Sequence, residues 1–241
     1  MLYVVGIGPG KIENMTIEAI EAIKKSSSVV GYKTYIDLID DLLVEKKVFS
    51  NGMRREIDRC KKALELAELG EDVSIVSSGD AGVFGMAGLV LEIISKSKKN
   101  IDLKIIPGIP SANGGAASLG APIMHDYISL SLSDLLTPWK LIKKRLRLAA
   151  EGDFVICLYN PKSKGRPENL NKAVDIIKEY KLGSTPVGIV KNAKRKGEKI
   201  KISKLSRLKE EEVDMTTIVI IGNSKTYTYK DFMITPRGYQ L

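Results

Sequence analysis

Three glycines, Gly6, Gly8 and Gly10, stand at the end of an apolar run, Leu2–Ile7. Glycine at the end of a strand lets backbone approach a ligand with no Cβ in between, the usual way to cradle a phosphate or a nucleoside. The spacing narrows the choice. GIGPG lacks the GxGxxG pattern of dinucleotide sites, and the next strand-like run, SVVGY, ends on no Asp or Glu to take a ribose hydroxyl. The same missing acid argues against the common Rossmann-type methyltransferase, and GPGKIE lacks the spacing of a phosphate-binding Walker loop. A tight strand-to-helix turn with no ligand is the competing reading.

A second glycine-rich segment, Ser78-Gly79-Asp80-Ala81-Gly82-Val83-Phe84-Gly85, closes another apolar run and contains one carboxylate. Ligands of open α/β sheets bind at such strand ends, where Asp80 would accept hydrogen bonds or attract a cationic sulfur. It would serve equally as a turn aspartate capping its own loop. His125, the sole histidine, lies beside Asp126 and is either a proton carrier or a packed side chain. No GxSxG elbow accompanies it, so a serine-hydrolase triad is excluded. Arg54 and Arg55 open a helical stretch, an unfavourable place for cations against the helix dipole, which a carboxylate-bearing ligand would explain.

The elements that position these residues alternate in type. Strand-like runs at Leu2–Ile7, Ser28–Gly31, Val73–Ser77 and Leu103–Ile106 are separated by helical patterns at Thr16–Lys25 and Glu56–Leu69, the second with Ile57, Cys60, Ala63, Leu64 and Ala67 on one face. This is the order of an α/β fold with a mostly parallel sheet. Residues 107–122, dense in Gly, Ala, Ser and Pro, read as a connector. Further strand-like runs follow at Ile128–Leu132, Phe154–Leu158, Val187–Val190, Lys199–Ile202 and Thr217–Ile221, and Thr137-Pro138 reads as cap and first residue of a helix, Trp139–Ala150. Two domains, 1–112 and 113–241, are expected, and clefts between domains commonly hold ligands. The basic stretch Lys191–Lys209 reads as a solvated hairpin followed by a surface helix.

The 241 residues are 44% apolar, enough for a sizeable core in either one domain or two. Cys60 and Cys157 are the only cysteines and form no CxxC pair, which predicts buried thiols in a reducing compartment and no zinc or other metal site. No apolar run reaches the length of a membrane span and the first residues read as a strand rather than a leader, so a cytoplasmic protein is expected. The 38 basic against 29 acidic residues leave a net charge of +9 that calls for an anionic partner. Nucleic acid, a membrane surface or an acidic small molecule would each answer it, and charge alone does not choose, although no aromatic-and-basic nucleic-acid motif is present.

Several segments together resemble the tetrapyrrole methylases of cobalamin biosynthesis: VGIGPG at 5–10, GYKTYIDLI at 31–39, GMRREIDRC at 52–60, SSGDAGVFGMAG at 77–88, PGIPSANGGAASLGAPIMHDY at 107–127 and ITPRGY at 234–239. DFVICLYNPKSKGR at 153–166 carries the same resemblance, and SLSDLLTPW at 131–139 and LYNPKSK at 158–164 resemble the subgroup that methylates C17 of precorrin-3B or cobalt-factor III. Ala81 departs from a family pattern that often has proline there.

The resemblance implies a two-domain α/β fold, a mostly parallel N-terminal sheet and a mixed C-terminal sheet, with S-adenosylmethionine in the interdomain cleft and a homodimer as the working form. It implies S-adenosylmethionine-dependent C17-methylation with ring contraction, giving precorrin-4 or its cobalt form, with S-adenosylhomocysteine as by-product. Carried over by position, Gly79, Asp80, Val83, Phe84, Ser111, Ala112, Tyr159, Asn160, Asn192, Ala193, Thr216 and Thr217 would meet the donor. Gly8, Pro9, Gly10, Arg54 and Arg55 would meet the macrocycle, while His125, with Ser131 and Asp134 as helpers, would handle protons during contraction. Another corrin-ring C-methyltransferase of the same fold is the nearest alternative, and a non-catalytic protein that binds an anionic ligand or RNA is the alternative of a different class.

Overall fold

The computed structural model describes residues 1–97 and 100–240. The chain forms two compact units, Met1–Ser111 and Ala112–Leu241.

The first unit contains β1 (Leu2–Gly6), α1 (Ile17–Lys25), β2 (Ser28–Tyr32), the short α2 (Lys33–Ile36), β3 (Lys47–Asn51), α3 (Glu56–Glu68), β4 (Val73–Ser77), α4 (Ala87–Ser97) and β5 (Leu103–Ile106). Its five strands are all parallel, in the order β3-β2-β4-β1-β5. A parallel sheet is covered on both faces, so its central strands are apolar at every position rather than at alternate ones. β1 shows this. Leu2 and Val4 pack with Cys60, Leu64 and Val90 from α3 and α4, while Tyr3 and Val5 pack with Ala19 and Ile23 of α1. Thr16 caps α1, its Oγ1 accepting from the Ala19 amide at 3.1 Å. Ile57 departs from the expected apolar face of α3 and is exposed, the burial of that helix beginning at Arg59 and Cys60.

The second unit holds α5 (Ser111–Leu119) from its second residue on, β6 (Gly120–Ala121), β7 (Tyr127–Ser131), α6 (Trp139–Glu151), β8 (Val155–Tyr159), α7 (Asn169–Lys178), β9 (Pro186–Lys191), β10 (Lys199–Lys204), β11 (Thr217–Ile221), β12 (Tyr227–Tyr229) and β13 (Phe232–Ile234). Its main sheet has the order β10-β9-β11-β8-β7, with β7 and β8 parallel and the other pairs antiparallel. The class is therefore α/β, with a parallel first sheet and a mixed second one. One face packs under α6 and α7 through Ile142, Leu146, Leu170 and Val174, and the other under α5 through Ala112, Ala116 and Leu119.

Helix α5 corrects the reading of residues 107–122 as a connector. Small residues are what its position demands: a Cβ on Gly115 would lie 2.6 Å from Ile218 of β11. Pro138, not Thr137, occupies the cap position of α6, and no side chain caps that helix. The expected surface helix within Lys191–Lys209 is a 3₁₀ turn, Leu205–Glu210, that buries Leu205 and Leu208. No helix among the described residues is long and apolar enough to cross a membrane.

Candidate functional site

In the first unit, the loops after β1, β4 and β5 meet at the carboxyl edge of the sheet. The Gly8 amide donates to the Gly79 carbonyl at 2.9 Å and the Gly79 amide donates back to the Gly8 carbonyl at 2.7 Å. Asp80 then binds the third loop: its Oδ1 accepts from the amides of Gly82 at 2.8 Å and Val83 at 3.1 Å, and its Oδ2 from the Gly108 amide at 3.0 Å. A carboxylate on three backbone donors fixes the loop in one shape. Asp80 is thus the loop's own anchor. The side chains of Val83 and Phe84 beside it are exposed, Phe84 at a φ of 54°.

Gly8, Pro9 and Gly10 are buried, and their glycines answer to the chain itself. Gly8 has a φ of +58° and its Cβ would meet the Asn14 carbonyl oxygen at 2.7 Å, while a Cβ on Gly10 would meet Leu38 at 2.6 Å. Arg54 and Arg55 are exposed at the start of α3, with Arg54 at a φ of 63°. Arg55 is ion-paired with Asp58 within the first turn, which answers the helix-dipole objection locally. These arginines follow β3, three strands from β1, so about 14 Å of sheet edge separates them from the Gly8 turn. Arg59, which carried no signal in the sequence, is buried and holds the turn before α3 through Asn51, Gly52 and Glu56.

The second unit gathers its candidates at one end of the mixed sheet. Ser131 pairs in register with Tyr159, and Lys191 with Thr217, so the last residues of β7, β8 and β9 and the first of β11 share an edge. The Ala112 amide donates to the Tyr159 hydroxyl oxygen at 3.0 Å, and Asn160 Nδ2 donates to Ser131 Oγ at 3.1 Å. The Asn192 amide donates to the Thr216 carbonyl at 3.0 Å, and Ala193, next in the chain, joins the core beneath α5. Asn160 and Asn192 both have a φ of 50°, a left-handed backbone that asparagine tolerates better than most residues.

Asp214 organises this edge and was missed, although Asp-Met-Thr-Thr is a recognisable side-chain turn. It accepts from the Thr216 amide at 2.9 Å, from the Thr216 and Thr217 hydroxyls at 2.8 and 3.0 Å, and from Lys191 Nζ at 2.7 Å. Burial works to raise its pKa, but these four donors outweigh it and hold the carboxyl at about 2. Beside it lies a cavity of about 440 Å³, lined by Lys162, Lys164, Pro167, Asp214, Met215 and Thr216 among others.

The structure does not bring His125 together with Ser131 and Asp134. His125 precedes β7 and the other two end or follow it, so the length of the strand, about 13 Å, intervenes. Its Nδ1 accepts from the Asp126 amide at 2.7 Å, and the imidazole is exposed. Asp134 instead faces Arg166, with 4.0 Å between carboxylate and Nε. Among the described residues no group of three or more His, Cys, Asp or Glu side chains could hold a metal.

The family model of tetrapyrrole (corrin/porphyrin) methylases matches residues 1–209. A probable cobalt-factor III C(17)-methyltransferase of Salmonella typhimurium is 52% identical over 241 residues, the whole of both chains. A precorrin-3B C(17)-methyltransferase of a Sinorhizobium species is 42% identical over 99% of this chain and 96% of its own. The crystal structure of the methyltransferase CobJ superposes with a TM-score of 0.93 at 34% identity, covering 98% of this chain and 99% of that one. With a matching family model over most of its length and a full-length relative at this identity, the chain belongs to the tetrapyrrole methylases.

Proposed function

We propose that this protein transfers a methyl group from S-adenosylmethionine to C17 of cobalt-factor III or precorrin-3B, with ring contraction, in cobalamin biosynthesis. One observation carries the reading. The segments that resemble the C17 subgroup, 131–139 and 158–164, end β7 and β8 at the edge that gathers Tyr159, Asn160, Asn192 and Thr216, in a chain 52% identical throughout to a relative of that name.

Within the first unit, Gly79, Asp80, Val83, Phe84 and Ser111 are assigned to the donor, and within the second Ala112, Tyr159, Asn160, Asn192, Ala193, Thr216 and Thr217. Their chemistry suits it: exposed Val83 and Phe84 offer apolar surface, and the Asp80 carboxylate offers negative charge to a cationic sulfur. When bound, S-adenosylmethionine supplies an electrophilic methyl carbon. The chain's contribution is to hold reactants in line and to exclude water, since ring carbon nucleophiles need no covalent intermediate with protein. Gly8, Pro9, Gly10, Arg54 and Arg55 are assigned to the acidic macrocycle, the arginines receiving its carboxylates. Ser131 and Asp134, at the donor-assigned edge, are assigned to proton handling during contraction, and His125 is tested separately from them.

The proposed working form is a cytoplasmic homodimer, taken from the family resemblance and testable by sedimentation equilibrium. Calorimetric titration with S-adenosylhomocysteine tests the donor assignment. Stoichiometric binding supports the reading, whereas no heat with the by-product and salt-dependent binding of RNA would overturn it.

A further inference from the structure

Arg166 has the burial of a structural arginine without the partners of one. Its side chain is 10% exposed, yet its Nε makes no hydrogen bond among the described residues. Among the described residues its one ion-pair partner, Asp134, is 4.0 Å away, and the one hydrogen bond of its side chain runs from Nη2 to the thioether sulfur of Met215 at 3.7 Å. The same chain shows what a satisfied buried cation looks like. Arg59, 6% exposed in its side chain, has three oxygen acceptors within 3.0 Å, and Lys181, 2% exposed, has Asp153 at 3.0 Å. A buried guanidinium left with a distant acid and a thioether is costly to the fold unless something else neutralises it.

Its position indicates what that is. Arg166 belongs to the loop after β8, and its contacts reach the loop after β7 at Asp134 and the approach to β11 at Met215, so it stands at the edge that carries Asn160 and Thr216. Met215 also lines the 440 Å³ cavity, as do Lys162 and Lys164. The acid in that wall, Asp214, is already taken by Lys191 and the two threonines. An anion that enters meets the two lysines of the wall, whose one carboxylate is already paired.

We propose that Arg166 receives a ligand carboxylate, paired in the planar two-bond geometry that a guanidinium offers. The proposal rests on the methyltransferase reading for the identity of the ligand: an acetate or propionate side chain of the macrocycle, or the amino-acid carboxylate of the methyl donor. Arg166 is then a binding residue that fixes how a reactant lies.

The test uses the full chain with Arg166→Met, which keeps length and removes charge, and Arg166→Lys, which keeps charge and removes the fork. Calorimetric Kd for S-adenosylhomocysteine and KM for cobalt-factor III in methyl transfer are read alongside the thermal midpoint. Expected for Arg166→Met is a loss of at least about tenfold in one of the two, with the midpoint not lowered, because an uncompensated charge has been removed. A shifted KM identifies the macrocycle as the source and a shifted Kd identifies the donor. Unchanged Kd and KM, or a fallen midpoint with both affinities intact, overturn the proposal. Should the methionine variant not fold, Arg166→Lys must itself weaken one affinity, and full retention of both overturns it. A parent protein that binds S-adenosylhomocysteine but methylates nothing would sink the functional reading while the Kd comparison still judges the arginine.

Discussion

Gly8 and Gly79 exchange backbone hydrogen bonds of 2.9 and 2.7 Å, and this reciprocal pair ties the loop after β1 to the loop after β4. A third loop is held against them so closely that a Cβ on Gly108 would lie 2.3 Å from the Gly79 carbonyl oxygen and 2.5 Å from that of Gly6. Backbone atoms on both sides cannot move aside. Gly108→Ala is therefore expected to destabilise the first unit by about 3 kcal/mol, the upper end of overpacking. Gly52→Ala is the control, with nothing within 4 Å of its added Cβ, and should change stability by less than about 0.5 kcal/mol. Urea unfolding of the two variants checks this, and equal midpoints would contradict it.

Asp214 makes the second unit sensitive to strong acid. Its carboxyl is held at about 2 against an ordinary 3.8, so its stabilising contribution is complete above pH 3.8 and is lost as pH falls through about 2. With 44% of the side chain exposed, solvent screening limits the contribution to about 1 kcal/mol. Urea titrations of the parent and Asp214→Asn should differ by that amount near neutral pH and converge toward pH 2. A gap that stays constant down to pH 2 would contradict the assignment.

Burial pushes the thiols of Cys60 and Cys157 up to about 12, and both are wholly covered by core side chains. The reactive species is the thiolate, so neither should react with Ellman's reagent at pH 8 in the folded protein, and both should react at once in denaturant. Fast modification of either in the folded state would show that its unit opens readily.

His125 precedes β7 and Ser131 ends it, and the imidazole Nδ1 accepts from the Asp126 amide. His125→Ala is expected to retain both methyl transfer and ring contraction, whereas Ser131→Ala should slow contraction. Loss of a proton carrier costs on the order of a hundredfold in rate, so a drop of that size in contraction by His125→Ala would restore histidine to the role. Product analysis by mass and absorbance distinguishes methylated, contracted and uncontracted rings.

The parts of the fold legible in the sequence are those where one physical signal dominates. The central strands of the first sheet are covered on both faces and so appear as unbroken apolar runs such as Leu2–Ile7. Helix α5 escaped because Gly114, Gly115 and the alanines around them have weak or turn-like local preferences; packing against Val190 and Ile218 makes them helical. The short strands β12 and β13 gave too few residues for a period to show. At the site, glycine-rich strand ends were visible, but the partners of Asp80 were not, since Gly82, Val83 and Gly108 offer only backbone amides. Arg166 was hidden for the converse reason: a basic residue in Lys-Ser-Lys-Gly-Arg reads as solvated, and only the fold buries it.

The central claim is methyl transfer to a tetrapyrrole, and the most direct measurement is the mass of the macrocycle after incubation of the protein with S-adenosylmethionine and cobalt-factor III or precorrin-3B. The account predicts a gain of one methyl group on at least one of the two rings, with an equal amount of S-adenosylhomocysteine released. Recovery of both rings at unchanged mass, with protein that is folded and binds S-adenosylhomocysteine, would contradict it.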